Sequence, residues 1–80
     1  MKTQNLSIRA KALYELLSNH AQNEEKSFFL SESAIDYKLA DFGASTSMEV
    51  LQRNKLIVFN MEYQIDIHKR EYCCYRGFVV

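Results

Sequence analysis

The 80-residue sequence has no proline, no tryptophan, only two glycines and a formal net charge of zero. The absence of proline leaves each helix or strand pattern uninterrupted. No apolar run approaches the roughly 20 residues that span a bilayer, and no signal-peptide core follows the first residues, so we expect a cytoplasmic protein with no membrane partner. The balanced charge and the hydrophobic fraction of 48% indicate a folded domain rather than a disordered tail or a polybasic arm.

The length predicts one domain over residues 1–80. A domain of this size buries only about 60% of the surface that its unfolded chain exposes. Its stability is therefore marginal unless a partner or a second subunit contributes. We expect a homodimer for this reason.

Enzyme motifs are also missing. The sequence has no glycine-rich phosphate loop, no paired carboxylates in a known motif and no Ser-His or Cys-His arrangement above chance. Cys73 and Cys74 are adjacent, and a bond between neighbours on a strand would be strained, so free thiols are expected. Together with His20 and His68 they have the wrong spacing for zinc. The sequence thus predicts no catalysis, no cofactor and no metal site.

Apolar and polar residues alternate through residues 57–67, with Val58 as the one apolar residue at a polar position. This pattern is typical of a half-buried β-strand, which needs a partner strand. Residues 72–80 are the only segment left for that role, and residues 67–71 would form the turn. The short apolar run at residues 27–30 is suited to a third strand.

Helical spacing predicts helices before this hairpin. The first begins after Ser7 as N-cap and ends near His20, and its apolar face comprises Ile8, Ala12, Leu13, Leu16 and Leu17. The second begins after Ser31 or Ser33 and is stopped by Gly43, with three inward residues, Ile35, Leu39 and Phe42.

A third, short helix is predicted from near Ser45 to near Lys55. Thr46 and Glu49 have the spacing of a capping box, and apolar residues follow them. The helical side of the core should comprise Leu13, Leu16, Leu39 and Leu51, packed against Phe59 and Met61. The predicted fold class is α+β, with about three helices and a C-terminal β-hairpin.

Several short motifs follow one another along the chain: Leu-Ser at residues 6–7, Phe-Phe-Leu-Ser at residues 28–31, Ile35 with Leu39, and Asn-Lys-Leu-Ile at residues 54–57. In this order they resemble the winged helix-turn-helix modules of phage and plasmid replication and regulatory proteins. The resemblance covers most of the chain, and Lys55 stands where glycine is common in that family. It implies a winged helix that binds double-stranded DNA and regulates transcription or replication.

The resemblance implies that the third helix is a recognition helix that displays Ser45, Thr46, Ser47, Gln52 and Arg53. Gln and Arg are the types that read adenine and guanine edges, and Ser and Thr suit phosphate contacts, although Ser and Thr also simply cap helices. The turn of the hairpin holds His68, Lys69 and Arg70. At a wing tip these residues would meet phosphate or the minor groove, and a solvated turn is the other interpretation.

Charge supports a rival interpretation. Residues 28–52 contain one cation, Lys38, and four acids, Glu32, Asp36, Asp41 and Glu49. Duplex DNA favours basic proteins, and either dimerisation or a basic stripe of Arg53, Lys55, Lys69, Arg70 and Arg76 could restore the affinity. The alternative is an inhibitor or antirepressor that binds a regulatory protein. A second similarity agrees with it: residues 34–40 and 70–73 look like helical elements of small enterobacterial virulence-gene regulators.

Overall fold

A computed structural model describes residues 6–40 and 43–80. The helices are α1 (Ile8–His20), α2 (Glu32–Leu39) and α3 (Ala44–Arg53), and the strands are β1 (Ser27–Ser31), β2 (Ile57–Ile65) and β3 (Glu71–Val79). Along the chain the order is α1, β1, α2, α3, β2 and β3. The predicted α+β class is therefore confirmed.

The three strands form one antiparallel sheet in which β3 is central, in the order β1-β3-β2. In this register Gly77 faces both Phe28 of β1 and Phe59 of β2. The hairpin and the third strand predicted from the sequence are both confirmed. Strand β2 ends at Ile65, however, and Ile67 lies in the turn, so the apolar alternation continues two residues beyond the ladder.

The core lies between the helices and one face of the sheet. Cross-strand neighbours share a face, and the fully or nearly fully buried residues on this face are Phe28, Leu30, Ile57 and Tyr75. The helices cover them with Ala10, Leu13 and Leu17 of α1, Ile35 of α2, and Ala44, Met48 and Leu51 of α3. Each helix thus buries one stripe and leaves its other side to solvent.

Two of the predicted caps are confirmed. The hydroxyl of Ser7 accepts a hydrogen bond from the Ala10 N–H at 3.2 Å, and that of Ser31 accepts one from the Ala34 N–H at 3.1 Å. The predicted capping box of α3 is wrong, because Gly43 is its N-cap and makes no side-chain bond. Since α3 begins at Ala44, Thr46 lies inside its first turn.

Left-handed residues end two of the helices. Ala40 (φ 50°) follows α2, so that helix stops before Gly43, and Lys55 (φ 62°) follows α3. This region of φ favours glycine, and Lys55 is the position at which the resembling family commonly has one. Phe42, predicted to face inward, lies outside the described residues.

The predicted core is wrong at two positions, Ile8 and Met61, whereas Leu13 and Leu51 are fully buried as predicted. Ile8 is 86% exposed and Met61 is 47% exposed, whereas Leu16, Leu39 and Phe59 are only partly buried. Met61 lies on the edge strand opposite Tyr75, one residue pair before the point at which β1 ends opposite Cys74. Beyond that point the sheet has only two strands, and Tyr63 and Ile65 are each 66% exposed.

Arg70 to Cys73 is also not helical. Glu71 begins β3, so the helical placement implied by the second similarity is wrong for residues 70–73, whereas residues 34–39 lie in α2. In the part of the chain that the structure describes, no helix has both the length and the apolar character needed to cross a membrane.

Candidate functional site

One side of α3 carries most of the predicted binding residues. Helical spacing of 100° per residue groups the exposed residues of this helix into one stripe, here called the α3 face: Ser45, Thr46, Glu49, Gln52 and Arg53. The buried residues Ala44, Met48 and Leu51 lie on the opposite side. Ser47 is half-buried at the edge between them, so the structure brings four of the five predicted α3 residues together.

Gln52 has a structural contact that the sequence did not predict. Its side-chain oxygen accepts a hydrogen bond from the backbone N–H of Phe59 at 2.9 Å. Bidentate reading of adenine needs both the oxygen and the nitrogen of the amide. In this conformation the oxygen of Gln52 is already used to join α3 to β2, and Arg53 is the better candidate for a base contact.

Glu49 is a member of the α3 face that the sequence interpretation missed. It lies four residues after Ser45 and three before Gln52, which places it in the middle of the exposed stripe. Because the sequence pattern assigned Glu49 to a capping box, its place on the exposed face was not predicted. A carboxylate here can accept a hydrogen bond from the amino group of cytosine, and it repels phosphate.

The second candidate surface is the hairpin turn, residues 66–70. The carboxylate Oδ1 of Asp66 accepts hydrogen bonds from the backbone N–H groups of His68 and Arg70 at 2.8 and 2.9 Å. The Lys69 N–H donates to the Asp66 carbonyl at 3.0 Å, and Lys69 has φ 60°. This is a three-residue loop closed by a left-handed residue. The Asp66 side chain holds the backbone of the turn in one shape.

The cations differ in how free they are. Lys69 and Arg70 are exposed, and within residues 6–40 and 43–80 neither forms an ion pair. Arg76 instead pairs with Glu62, and its guanidinium lies 4.1 Å from the ring centroid of Phe29. The basic stripe expected from the sequence therefore loses Arg76, which is held on the face of the sheet opposite the helices.

The acids of α2 are partly turned toward the protein. Glu32 and Asp36 are half-buried, Glu32 Oε2 accepts a hydrogen bond from the Tyr75 hydroxyl at 2.6 Å, and Asp36 Oδ1 is buried with no hydrogen-bond partner. They line an open cavity of about 680 Å³ with Ser33, Tyr37 and Ala40. The surface of α2 is thus less acidic than the sequence suggests. Asp41 lies outside the described residues.

The cysteines are free and sheltered. Cys74 is buried and Cys73 half-buried, and they point to opposite faces of β3 as expected for neighbours on a strand. Burial raises the pKa of both thiols, with a further increase from Glu32 at Cys73 and from Glu62 at Cys74. Both therefore stay protonated near neutral pH. In the described part of the chain, no three His, Cys, Asp or Glu side chains cluster so as to hold a metal ion.

No protein-family model matches the chain, and no curated protein or solved structure is significantly similar to it. Only the chain's own residues bear on its function. Two exposed polar surfaces stand out among those that the structure describes, the α3 face and the hairpin turn. They belong to consecutive elements, because β2 begins four residues after α3 ends.

Proposed function

We propose that this protein is a winged-helix module that binds double-stranded DNA, with α3 as the recognition helix and the hairpin of β2 and β3 as the wing. The observation that carries the proposal is the arrangement of elements. Two short helices, α2 and α3, are separated by only four residues of sequence, and α3 is followed by a long hairpin with a basic turn. The left-handed Lys55, at the position where the resembling family has glycine, supports the same assignment.

The chemistry of the α3 face suits contact with a DNA groove. Ser45 and Thr46 lie in the first turn of α3, where no side chain caps the helix. Free N–H groups and the positive end of the helix dipole favour phosphate there. Arg53 lies in the last turn on the same face and is long enough to reach a guanine edge. Ser45 and Thr46 would therefore position the helix on the DNA backbone, and Arg53 would contact a base.

The wing adds cationic phosphate contacts to those at the N-terminus of α3. Strand β2 has nine residues, which corresponds to about 30 Å, so the turn lies about one turn of B-DNA from the end of α3. Lys69 and Arg70 are held there on the backbone fixed by Asp66. The two cations offset the carboxylate of Glu49 and make the contacts that do not depend on sequence.

A protein ligand is the second candidate function, favoured by one observation. The outer half of the hairpin exposes Met61, Tyr63 and Ile65 on one face, and apolar side chains of this size are typical of protein interfaces. An inhibitor or antirepressor would use this face against a regulatory protein. Its binding would depend on the apolar residues and would be insensitive to salt.

Fluorescence anisotropy with duplex DNA of mixed sequence, measured at several salt concentrations, tests the DNA proposal. Replacing Lys69 and Arg70 by Ala should weaken binding to every sequence and reduce the slope of log K against log salt by about two. The matched control removes two exposed cations elsewhere, Lys11→Ala with Lys26→Ala, and should leave the slope unchanged. Arg53→Ala should instead reduce the preference among sequences.

Absence of DNA binding at low salt contradicts the proposal. An equal loss of affinity in the control pair would show that only net charge matters and would remove the wing from the mechanism. The protein-binding candidate predicts a different pattern, in which Ile65→Ser abolishes partner capture and the Lys69 and Arg70 variants bind normally.

A further inference from the structure

The outer edge of β2 is an open hydrogen-bonding edge. Strand β2 pairs with β3 on one side only. The Phe59 N–H points away from β3, since it donates to Gln52. Along an antiparallel strand the backbone N–H and C=O groups of successive residues point alternately toward and away from the neighbouring strand. The backbone N–H and C=O groups of Met61, Tyr63 and Ile65 therefore point outward as well.

Gln52 limits how far this edge is open. Its side chain occupies the N–H of Phe59, so the unprotected stretch is Met61, Tyr63 and Ile65. Their side chains are 47%, 66% and 66% exposed. An exposed apolar edge strand without lysine or proline in it readily pairs with another strand. On either side of Tyr63 the stretch has a polar residue one position away and an apolar residue two positions away. This symmetry favours the same strand of a second copy as the partner.

We propose that two copies of this chain pair antiparallel along the β2 edge, with the two-fold axis at Tyr63, and form a continuous six-stranded sheet. The pairing uses the hydrogen-bonding groups of Met61, Tyr63 and Ile65 and leaves the Gln52 contact intact. Met61 of each copy then faces Ile65 of the other, and the two Tyr63 residues face each other. This inference does not depend on DNA binding.

The charges on β2 favour this register over the registers shifted by one residue. An axis at Tyr63 places Glu62 of one copy opposite Gln64 of the other, so a carboxylate meets an amide. An axis at Glu62 would oppose two glutamates, and an axis at Gln64 would oppose Glu62 and Asp66, both of which are destabilising. An axis at Met61 would need the Phe59 N–H that Gln52 occupies.

The fold explains why the apolar residues would be covered. A two-fold axis perpendicular to a sheet keeps the same face of both copies on one side. The helices pack on the face that carries Ile57 and Tyr75, and Met61, Tyr63 and Ile65 lie on that same face. The bare outer half of each hairpin therefore lies beside the helical side of the other copy, where its apolar side chains lose contact with water.

Sedimentation velocity of the full chain over a range of concentrations tests the pairing. We expect a reversible dimer for the wild type and a monomer for Tyr63→Pro, which removes only an outward N–H and is tolerated on an edge strand. Tyr37→Ser, at an 88% exposed aromatic on α2, is the matched control and should remain dimeric. If Tyr63→Pro fails to fold by circular dichroism, Ile65→Lys replaces it and should be monomeric.

A charge exchange tests the register. Gln64→Glu should weaken the dimer roughly tenfold, because two carboxylate pairs then oppose each other. Combining it with Glu62→Gln restores an amide opposite each carboxylate, at the loss of the ion pair between Glu62 and Arg76, and should recover most of the affinity lost in Gln64→Glu. A wild type that is monomeric throughout, a dimer that survives Tyr63→Pro in a folded protein, or a double variant as weak as Gln64→Glu would overturn the proposal.

Discussion

The buried phenol of Tyr75 donates a 2.6 Å hydrogen bond to Oε2 of Glu32, across 43 positions of sequence. This contact joins the central strand β3 to the first turn of α2. The ring of Tyr75 also meets that of Phe59 edge-on, with 5.6 Å between centroids. Tyr75 thus links α2, β3 and β2 with no exposed surface of its own.

Tyr75 predicts a loss of stability in alkali. Burial and the Glu32 carboxylate raise the pKa of Tyr75 above its ordinary value of 10.0, so at high pH the folded state retains a proton that the unfolded state has lost. Stability is fully present below about pH 10 and falls as the pH rises above it. Chemical denaturation between pH 8 and 11 should show this decrease, and Tyr75→Phe should have a smaller one. Equal slopes in the two proteins would contradict the assignment.

The first helix offers a test of register between neighbouring leucines. Leu17 is fully buried, whereas Leu16 only borders the core. Leu17→Ala should cost about 2–5 kcal/mol of unfolding free energy, a large share of what a small domain has. Leu16→Ala should cost less than half as much. Urea denaturation measures the unfolding free energy of both variants. A larger loss in Leu16→Ala than in Leu17→Ala would contradict the orientation of α1 described here.

Gly77 is required by the close approach of β2. A Cβ at this position would overlap the Val58 carbonyl oxygen and lie 2.8 Å from the Cα of Phe59. Backbone must then move, so Gly77→Ala should destabilise the protein by about 1–3 kcal/mol. Gly43→Ala is the matched control, since its Cβ would meet only the flexible end of Arg9. Thermal denaturation should show a clearly larger decrease in Tm for Gly77→Ala.

The hairpin turn should depend on one carboxylate oxygen. Asp66→Ala removes the acceptor of two backbone hydrogen bonds, which we expect to cost about 1 kcal/mol locally. Amide hydrogen exchange at His68 and Arg70 should then accelerate. Asp66→Asn keeps an acceptor oxygen and should leave both amides near their wild-type rates. Unchanged exchange in Asp66→Ala would show that the strands alone define the turn.

Local patterns predicted much of this fold. The serine caps of α1 and α2 depend on neighbours three residues away, and the strands follow from alternation within short windows. Long-range geometry could not be predicted in the same way. The alternation through Met61 and Tyr63 indicates which residues share a face, but it does not indicate that Tyr63 and Ile65 are exposed, in the part of the sheet that has only two strands.

In the candidate site, too, local spacing was predictable from the sequence and long-range contacts were not. Helical spacing groups Ser45, Gln52 and Arg53 on one face, and the structure agrees. The contact of Gln52 with Phe59 joins residues seven apart in different elements. The pairing of Arg76 with Glu62 depends on strand register. Neither contact produces a pattern in the local sequence. A count of charges from the sequence therefore gives more unpaired cations than the structure has.

An NMR titration of the labelled protein with duplex DNA at low salt is the decisive experiment for the proposed binding of DNA by the α3 face and the hairpin turn. We expect amide shift changes at Thr46, Arg53, Lys69 and Arg70, which diminish as salt is added. Amides of the far side of α1, such as Lys11, should not move. Absence of shifts at low salt, or shifts confined to α2 around Glu32 and Asp36, would contradict the proposed binding.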